Sequence, residues 1–504
     1  MAANLRIWLA GLFLALPLAA CAMDGPVEPA PGAPLLFPAN GARNVNPDTH
    51  LVLTFASPPR IGTSGLIRIF DAETGTLADT LDMSVPTSPN PTGRSSAANE
   101  AERQAQGASA AMTDYQVTTI GGTDFHFFPI IVRGTTATIY PHTGRLTYGR
   151  TYRVTLDPGV LVGEDVSGVT TWTFTTKATA PSANSTRLVV AADGSGDFNT
   201  VQGAIDWAPA TPASPVEIAI RNGTYEELIF MRGKSNLTLR GESRDGVIVT
   251  YPNNSAFNPP RGGPSRRPAF SIYESTRIQL STFTINNTFI GQAEALLVRG
   301  EKIVIDRMTL NGSGDALTTY GTIYMVDSKL TGDGDTILGY AALFCLRCEV
   351  HSVGPFTWTR TPEGSHGNVF VDSSFIGIDR PLPWTIKPDG AGGQIASKAL
   401  ARLPRNGATG APGANFPHAE MVVINSRMDG VPPEGWGPVQ DPPDFDSSNV
   451  RFWEHGTRGL DGKPADVSQR HPIVRQLTLP ADAAIIADYR RPEFVLGGWT
   501  PVVR

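Results

Sequence analysis

The chain has 504 residues, of which 40% are hydrophobic and 17% charged, a composition that fits a folded protein of two or three domains. Its 41 basic and 47 acidic residues give a net charge of −6, which excludes the basic excess expected of a nucleic-acid binder. With 52 glycines and 42 prolines, many turns and few long helices are expected.

The first stretch, "MAANLRIWLAGLFLALPLAAC", carries Arg6, then an apolar run, then small residues. It is too short to span a bilayer comfortably and reads as a secretion signal over residues 1–21. "LAAC", from Leu18 to Cys21, resembles the bacterial lipobox, which implies that Cys21 becomes the lipidated first residue. Ala22 in place of Asp implies, by the same resemblance, an outer-membrane lipoprotein facing the periplasm or the cell surface. The other reading is an ordinary cleaved signal with an incidental Cys.

Residues 22–34 are a Pro-rich stalk. From 35 to 177 the pattern is period-2 alternation broken by turns, as in "HLVLTF", "TYRVTL" and "TTWTFTT". That predicts a β-sandwich. The opening "FPANGARNVNP" and closing "WTFTT" resemble bacterial Ig-like domains. A polar, small-residue stretch within it, 84–112, is expected to be a mobile loop. This region shows no catalytic constellation, so a spacer or a carbohydrate-binding role is expected. Residues 178–186, "ATAPSANST", form a linker.

The remainder, 187–504, is built from repeats. "KIVIDRMTLNG" (302–312), "TIYMVDSKLTG" (322–332) and "ALFCLRCEVHS" (342–352) superpose with a 20-residue shift. "RIQLSTFTINN" (277–287) precedes them, and "GNVFVDSSFIG" (367–377) and "EMVVINSRMDG" (420–430) continue the series. Such periods predict a solenoid, here a right-handed parallel β-helix, so the whole chain is expected to be all-β. Two Gly-Asp pairs place Asp315 and Asp335 one period apart. On successive coils their carboxylates would lie about 4.8 Å apart. One pKa would then be pushed up and the other held down, giving an acid and a base or nucleophile. A ladder of turn-forming Asp residues is the competing explanation. Cys345 and Cys348 sit in an apolar strand without His or a second CxxC, which reads as buried thiols or, alternatively, a local disulfide.

"VVAADGSGDFNTVQGAIDWAP" (189–209) resembles the opening of the pectin methylesterase (pectinesterase) family, "V..DGSGDF.TVq.AI...P". The likeness runs through 187–504, and the family's fold is a right-handed parallel β-helix. "QAEALLV" (292–298) resembles "QAvALrV", which implies that Gln292 helps hold the oxyanion. "GDALTT" resembles "QDTLyv" and implies Asp315 as general acid, then base. "GDTILG" resembles "vDFIFG" and implies Asp335 as nucleophile; "ALARLPR" (399–405) resembles "yLGRPW" and implies Arg402 as the group orienting it. The pattern departs at Gly314, where the family has a Gln oxyanion donor, at Thr336, which replaces Phe, and at Pro404, which replaces Trp. Arg380, in "RPLPW" with Trp384, competes with Arg402, and Asp333 competes with Asp335.

These residues suffice for ester hydrolysis without metal or cofactor. The resemblance implies methyl-esterified pectin as substrate and a monomeric enzyme. There is no GxSxG elbow and no HExxH. The "GHG" and "RIK" of polygalacturonases are absent, and "TGDGDT" is thin support for the calcium site of a pectate lyase. Two further readings remain: a related β-helix esterase acting on a non-pectin ester, and a non-catalytic carbohydrate-binding envelope protein. The inserts at 255–268 and 405–417 are expected to rim the cleft.

Overall fold

The computed structural model describes residues 33–94, 111–163, 169, 172–387, 389–402, 404, 415–437 and 446–504. The signal segment with Cys21, most of the Pro-rich stalk, much of the predicted mobile loop and most of the 405–417 insert lie outside the described residues.

The N-terminal region is two packed β-sheets. One orders Leu35–Phe37, Leu51–Thr54, Thr136–Ile139 and Ile130–Arg133, all antiparallel. The other holds Leu66–Asp71, Leu77–Asp82, Thr151–Leu156 and Trp172–Thr176, with Ala42–Val45 added in parallel at its edge. Period-2 alternation turns Leu51, Leu53, Ile67, Ile69, Trp172 and Phe174 inward, where all are at most 1% exposed. The Trp172 indole meets its one polar need by donating from Nε1 to Pro38 O at 2.8 Å.

From Arg187 onward the strands pair in parallel, coil upon coil. One continuous system holds 15 strands and another nine, with their inward residues forming a shared apolar core. The 20-residue repeat is the coil. Ile303 pairs with Ile323, and Ile323 with Leu343; Thr309 pairs with Lys329, and Lys329 with Glu349. The column Ile305, Met325, Cys345, Phe370 and Val423 fills the interior and is fully buried. Cys345 and Cys348 are buried free thiols, not a disulfide.

Each coil turns between the two systems on a single left-handed residue. Thr282, Arg307, Asp327, Arg347, Asp372 and Asn425 all have φ between 49° and 63°. A non-glycine residue in this region costs on the order of 1 kcal/mol or more. The cost is offset because each corner N–H is bonded to the next coil: Arg307 N to Val326 O, Asp327 N to Leu346 O, Arg347 N to Val371 O.

The sandwich is docked on the first coils. Helix α1 (Val201–Trp207) begins at Thr200, whose hydroxyl accepts from Gly203 N. Asp48, from the sandwich, accepts at Oδ2 from Asn199 N, Thr200 N and Thr200 Oγ1 at 2.8–2.9 Å, so it holds the N-cap residue in place, while Glu227 accepts from the first-turn Val201 N and Gln202 N. Farther along, the hairpin of Val117–Ile120 and Thr123–His126 meets the 255–268 insert. Asn258 exchanges two hydrogen bonds with the His126 backbone, and Phe257 stacks on Phe128 at 4.5 Å. The start of this insert is therefore buried against the sandwich rather than rimming a cleft. Asp48→Ala is expected to lower unfolding stability by roughly 1–2 kcal/mol in urea titration, because it leaves Asn199 N and Thr200 N buried without their acceptor.

Candidate active site

Five strands set the geometry: β1 (Phe270–Thr276), β2 (Leu296–Asp306), β3 (Leu317–Val326), β4 (Ile337–Gly339) and β5 (Thr357–Thr359). Leu317 of β3 pairs with Ile337 of β4, and Ile337 with Thr357 of β5. Asp315 and Asp335, each two residues before its strand, therefore occupy equivalent places on successive coils, and both line one cleft of about 650 Å³. Tight backbone brings them there. Gly314 has φ 76°, Gly334 φ 147°, and Asp335 itself φ 47°. A Cβ on Gly314 would sit 3.3 Å from Gln292 N, so the backbone of the previous coil crowds the position where the family pattern has Gln.

The two aspartates have different partners. Arg402 Nη1 donates to Asp335 Oδ2 at 2.5 Å. The competing pair is resolved as a second, separate couple: Arg380 Nη2 donates to Asp333 Oδ1 at 2.6 Å, and Asp333 also accepts from Ser313 Oγ at 2.6 Å. Asp333 is only 3% exposed and does not line the cleft, whereas Asp335 and Arg402 do. Gln292 lies beside them with φ 42°. All four residues singled out from the sequence, Gln292, Asp315, Asp335 and Arg402, thus share one cleft.

Sequence reasoning missed the group that ties them together. Arg267 pairs with Glu294, reaches Asp315 Oδ2 at 3.3 Å, and donates from Nη1 to Gln292 Oε1 at 3.0 Å. A guanidinium against Oε1 fixes the orientation of the Gln292 amide and turns its NH₂ group to the opposite side. Glu294 is fully buried at a position where the family pattern has an apolar residue, which is the signal that a buried cation had to be nearby.

Burial raises both carboxyls, so neither is held down as the stacked pair led one to expect; the neighbouring charges then set them apart. Asp315 lies well above the ordinary carboxylate range, through burial first and then the negative charge of Glu294; Arg267 opposes this, and Asp335 adds to it. Asp335 is also raised by burial, but the Arg402 charge and hydrogen bond oppose the rise. Of the two, Asp315 is held farther above the ordinary range, the direction that suits the acid of such a pair.

The remaining lining is aromatic and basic: Trp358, Trp384, Tyr320, Tyr340 and Arg360. Arg402 lies 4.1 Å over the Trp358 ring and Arg360 3.3 Å over it. Trp358 and Trp384 thus supply aromatic surface although residue 404 is Pro. Thr336, which replaces Phe, is fully buried and bonded to Ser352 Oγ at 2.7 Å, so this departure changes the coil interior, not the cleft wall.

Residues 187–368 match the pectinesterase family model. Among curated relatives from Arabidopsis thaliana, probable pectinesterase 56 is 31% identical over 173 residues, covering 33% of this chain and 59% of the relative. Pectinesterase 5 is 26% identical over 310 residues, covering 60% of this chain and 49% of the relative. The chain spans about half the length of the curated relatives it matches. Among solved structures, the pectin methylesterase from carrot is 22% identical, with a TM-score of 0.49 over 62% of this chain and 93% of that one. The pectin methylesterase from Erwinia chrysanthemi is 23% identical, with a TM-score of 0.47 over 63% of this chain and 98% of that one.

Replacing Arg267 leaves the Glu294 charge buried and unpaired. Arg267→Met is expected to cost about 3–5 kcal/mol of stability in denaturant titration, and Arg267→Met with Glu294→Met much less. Equal losses in the single and double variants would show that the pair is not what Arg267 supports.

Proposed function

We propose that the chain is a carboxylic-ester hydrolase that removes methyl esters from pectin and releases methanol. The observation that carries this reading is the in-register pair Asp315 and Asp335, one backed by Arg267 and the other by Arg402. Asp335, ionised, attacks the ester carbonyl carbon through a carboxylate oxygen. The Gln292 NH₂ group faces the developing oxyanion. Asp315 gives its proton to the departing methoxide, which leaves as methanol, and the acyl group stays on Asp335 as an anhydride. Asp315, now a carboxylate, takes a proton from water as that water attacks the anhydride, which frees the pectin carboxylate and restores Asp335. The family match over residues 187–368 supports the same reading.

Gly314 supports a second reading, an esterase for a different ester, because the side-chain oxyanion donor is missing there. Losing one such donor typically costs on the order of 10²–10³ in rate.

The lipobox-like "LAAC" supports placing the chain on an outer membrane through a lipid on Cys21. The sandwich, proposed as an Ig-like domain over 35–177, and the β-helix domain over 187–504 would then act there as a monomer.

Methanol release from highly methylated pectin tests the proposal. The chain is expected to release methanol, and Asp335→Asn or Asp315→Asn to lose at least about 10³ in kcat. No release from the folded chain would overturn the pectin reading, and acetylated and aryl esters would then be screened for the second. A pH series adds an independent check. Attack needs Asp335 ionised and Asp315 protonated, so kcat/KM is expected to be bell-shaped. Arg402 opposes the raised pKa of Asp335, so Arg402→Ala is expected to move the acidic limb to higher pH as well as lower the maximum.

A further inference from the structure

A second cavity, of about 350 Å³, lies at the seam between the sandwich and the first coils, and it shares no lining residue with the cleft of Asp315 and Asp335. The segments around His50 and Tyr148 supply its sandwich wall; α1 and Glu227 supply its coil wall. Aromatic rings stand on both walls. Tyr148 of the sandwich meets Trp207 of α1 edge to face, with ring centroids 6.4 Å apart. His50 packs against Tyr140 at 4.5 Å, and Phe127 against His142 at 5.2 Å. The volume is at the small end of the roughly 300–1,000 Å³ usual for ligand pockets, so it suits a short ligand rather than a run of polymer.

The protein does not use up the polar groups of these walls. Among the described residues, the Tyr148 hydroxyl, Trp207 Nε1 and both ring nitrogens of His50 make no hydrogen bond. Burial pushes the His50 imidazole down to about 4, so it is neutral at ordinary pH, with one nitrogen to donate and one to accept. Asp206 accepts at Oδ1 from Gln202 Nε2 at 2.8 Å, which leaves Oδ2 open, and Asp48 Oδ1 is buried without a partner. An occupant must therefore bring donors and acceptors together with an apolar face. Charge narrows the choice. Asp48, Asp206 and Glu227 line the cavity, and among the described residues no lysine or arginine does. An acid sugar would meet like charge with no cation to offset it. A bare ammonium would suit the carboxylates but leave the indole and imidazole donors unmet. A neutral sugar meets both demands, since its hydroxyls give and accept while its C–H face covers a ring.

We infer that this seam cavity is a binding site for the end of a neutral saccharide, held against Tyr148 and Trp207 and separate from the cleft of the two aspartates. Trp207 is 36% exposed, so its ring is open to a ligand arriving from solvent. The walls belong to the sandwich and to the first coils, so an occupant contacts both and ties one to the other. The inference rests on the cavity and not on the esterase reading. Neutral sugars reach it as branches of an acid polymer or as ends of an unrelated glycan; the chemistry recognised is the same.

Calorimetry on the full chain tests this without any turnover. The probes are galactobiose and arabinobiose for the branches, and cellobiose and maltose for other glycans. At least one is expected to bind with a Kd of about 1 mM or tighter and with little response to added salt, because the ligand is uncharged. Preference for the first two or for the second two identifies the source, and either supports the site. Trp207→Ala is expected to lose at least about tenfold in affinity. Tyr148→Phe, which keeps the ring and removes only the hydroxyl, is expected to lose about threefold or more. Thermal unfolding checks that both variants fold, and the bound disaccharide is expected to raise the unfolding temperature of the parent more than that of Trp207→Ala. No binding of any of these disaccharides, or equal binding by parent and both variants, would overturn the site. So would Trp207-dependent binding of tetramethylammonium or digalacturonate in their place. A chain that binds a disaccharide through Trp207 and releases no methanol would keep this inference and overturn the esterase reading; methanol release with no disaccharide bound would do the reverse.

Discussion

Parallel pairing in register makes this structure a set of columns. Whatever side chain occupies a position on one coil meets its counterpart about 4.8 Å away on the next. Apolar columns such as Ile303, Ile323 and Leu343 become core by this rule. The same rule is severe for charge, because two carboxylates in one column must share a site that can ionise only one of them easily. Asp315 and Asp335 stand under that constraint, and the arginines of the cleft are its consequence. With Asp315 carrying its proton, three guanidinium groups (Arg267, Arg360 and Arg402) face two carboxylates (Glu294 and Asp335) in and beneath the cleft.

The corners show how the columns are maintained. A left-handed residue at each turn is unfavourable alone, and six of them recur in one column. Each is supported by a backbone bond to its neighbour, so the strain is distributed along the stack rather than held at one point. At the N-terminal end the stack has no preceding coil. There α1 and the sandwich cover it, with Asp48 reaching across to the helix terminus. The N-terminal region is therefore part of how the helix begins, and not only a spacer.

Much of this was legible in the sequence. The 20-residue superposition of 302–312, 322–332 and 342–352 is the observed register, because coil length is written directly in the spacing of apolar residues. Asp315 and Asp335 followed from the same period. Gln292 and Arg402 came only through resemblance, since their distance along the chain says nothing of their approach. Asp333 against Asp335, and Arg380 against Arg402, could not be separated by spacing. The structure pairs Asp333 with Arg380 and Asp335 with Arg402, and only the second pair lines the cleft.

Arg267 and Glu294 were illegible for a different reason. They lie 27 residues apart on adjoining coils, in a segment whose insert breaks the 20-residue count. Yet the period itself held one unused clue. Tyr320, Tyr340 and Arg360 recur at the same interval as Asp315 and Asp335, five positions farther along each coil. A solenoid that sets two acids on one edge by repetition sets a row of tyrosines and arginines beside them by the same repetition. Tyr320, Tyr340 and Arg360 line the same cleft as the two aspartates. The aspartate pair and the row beside it are therefore not independently placed: the coils that carry Asp315 and Asp335 also carry Tyr320 and Tyr340. A change of coil length between 315 and 360 would displace the two together.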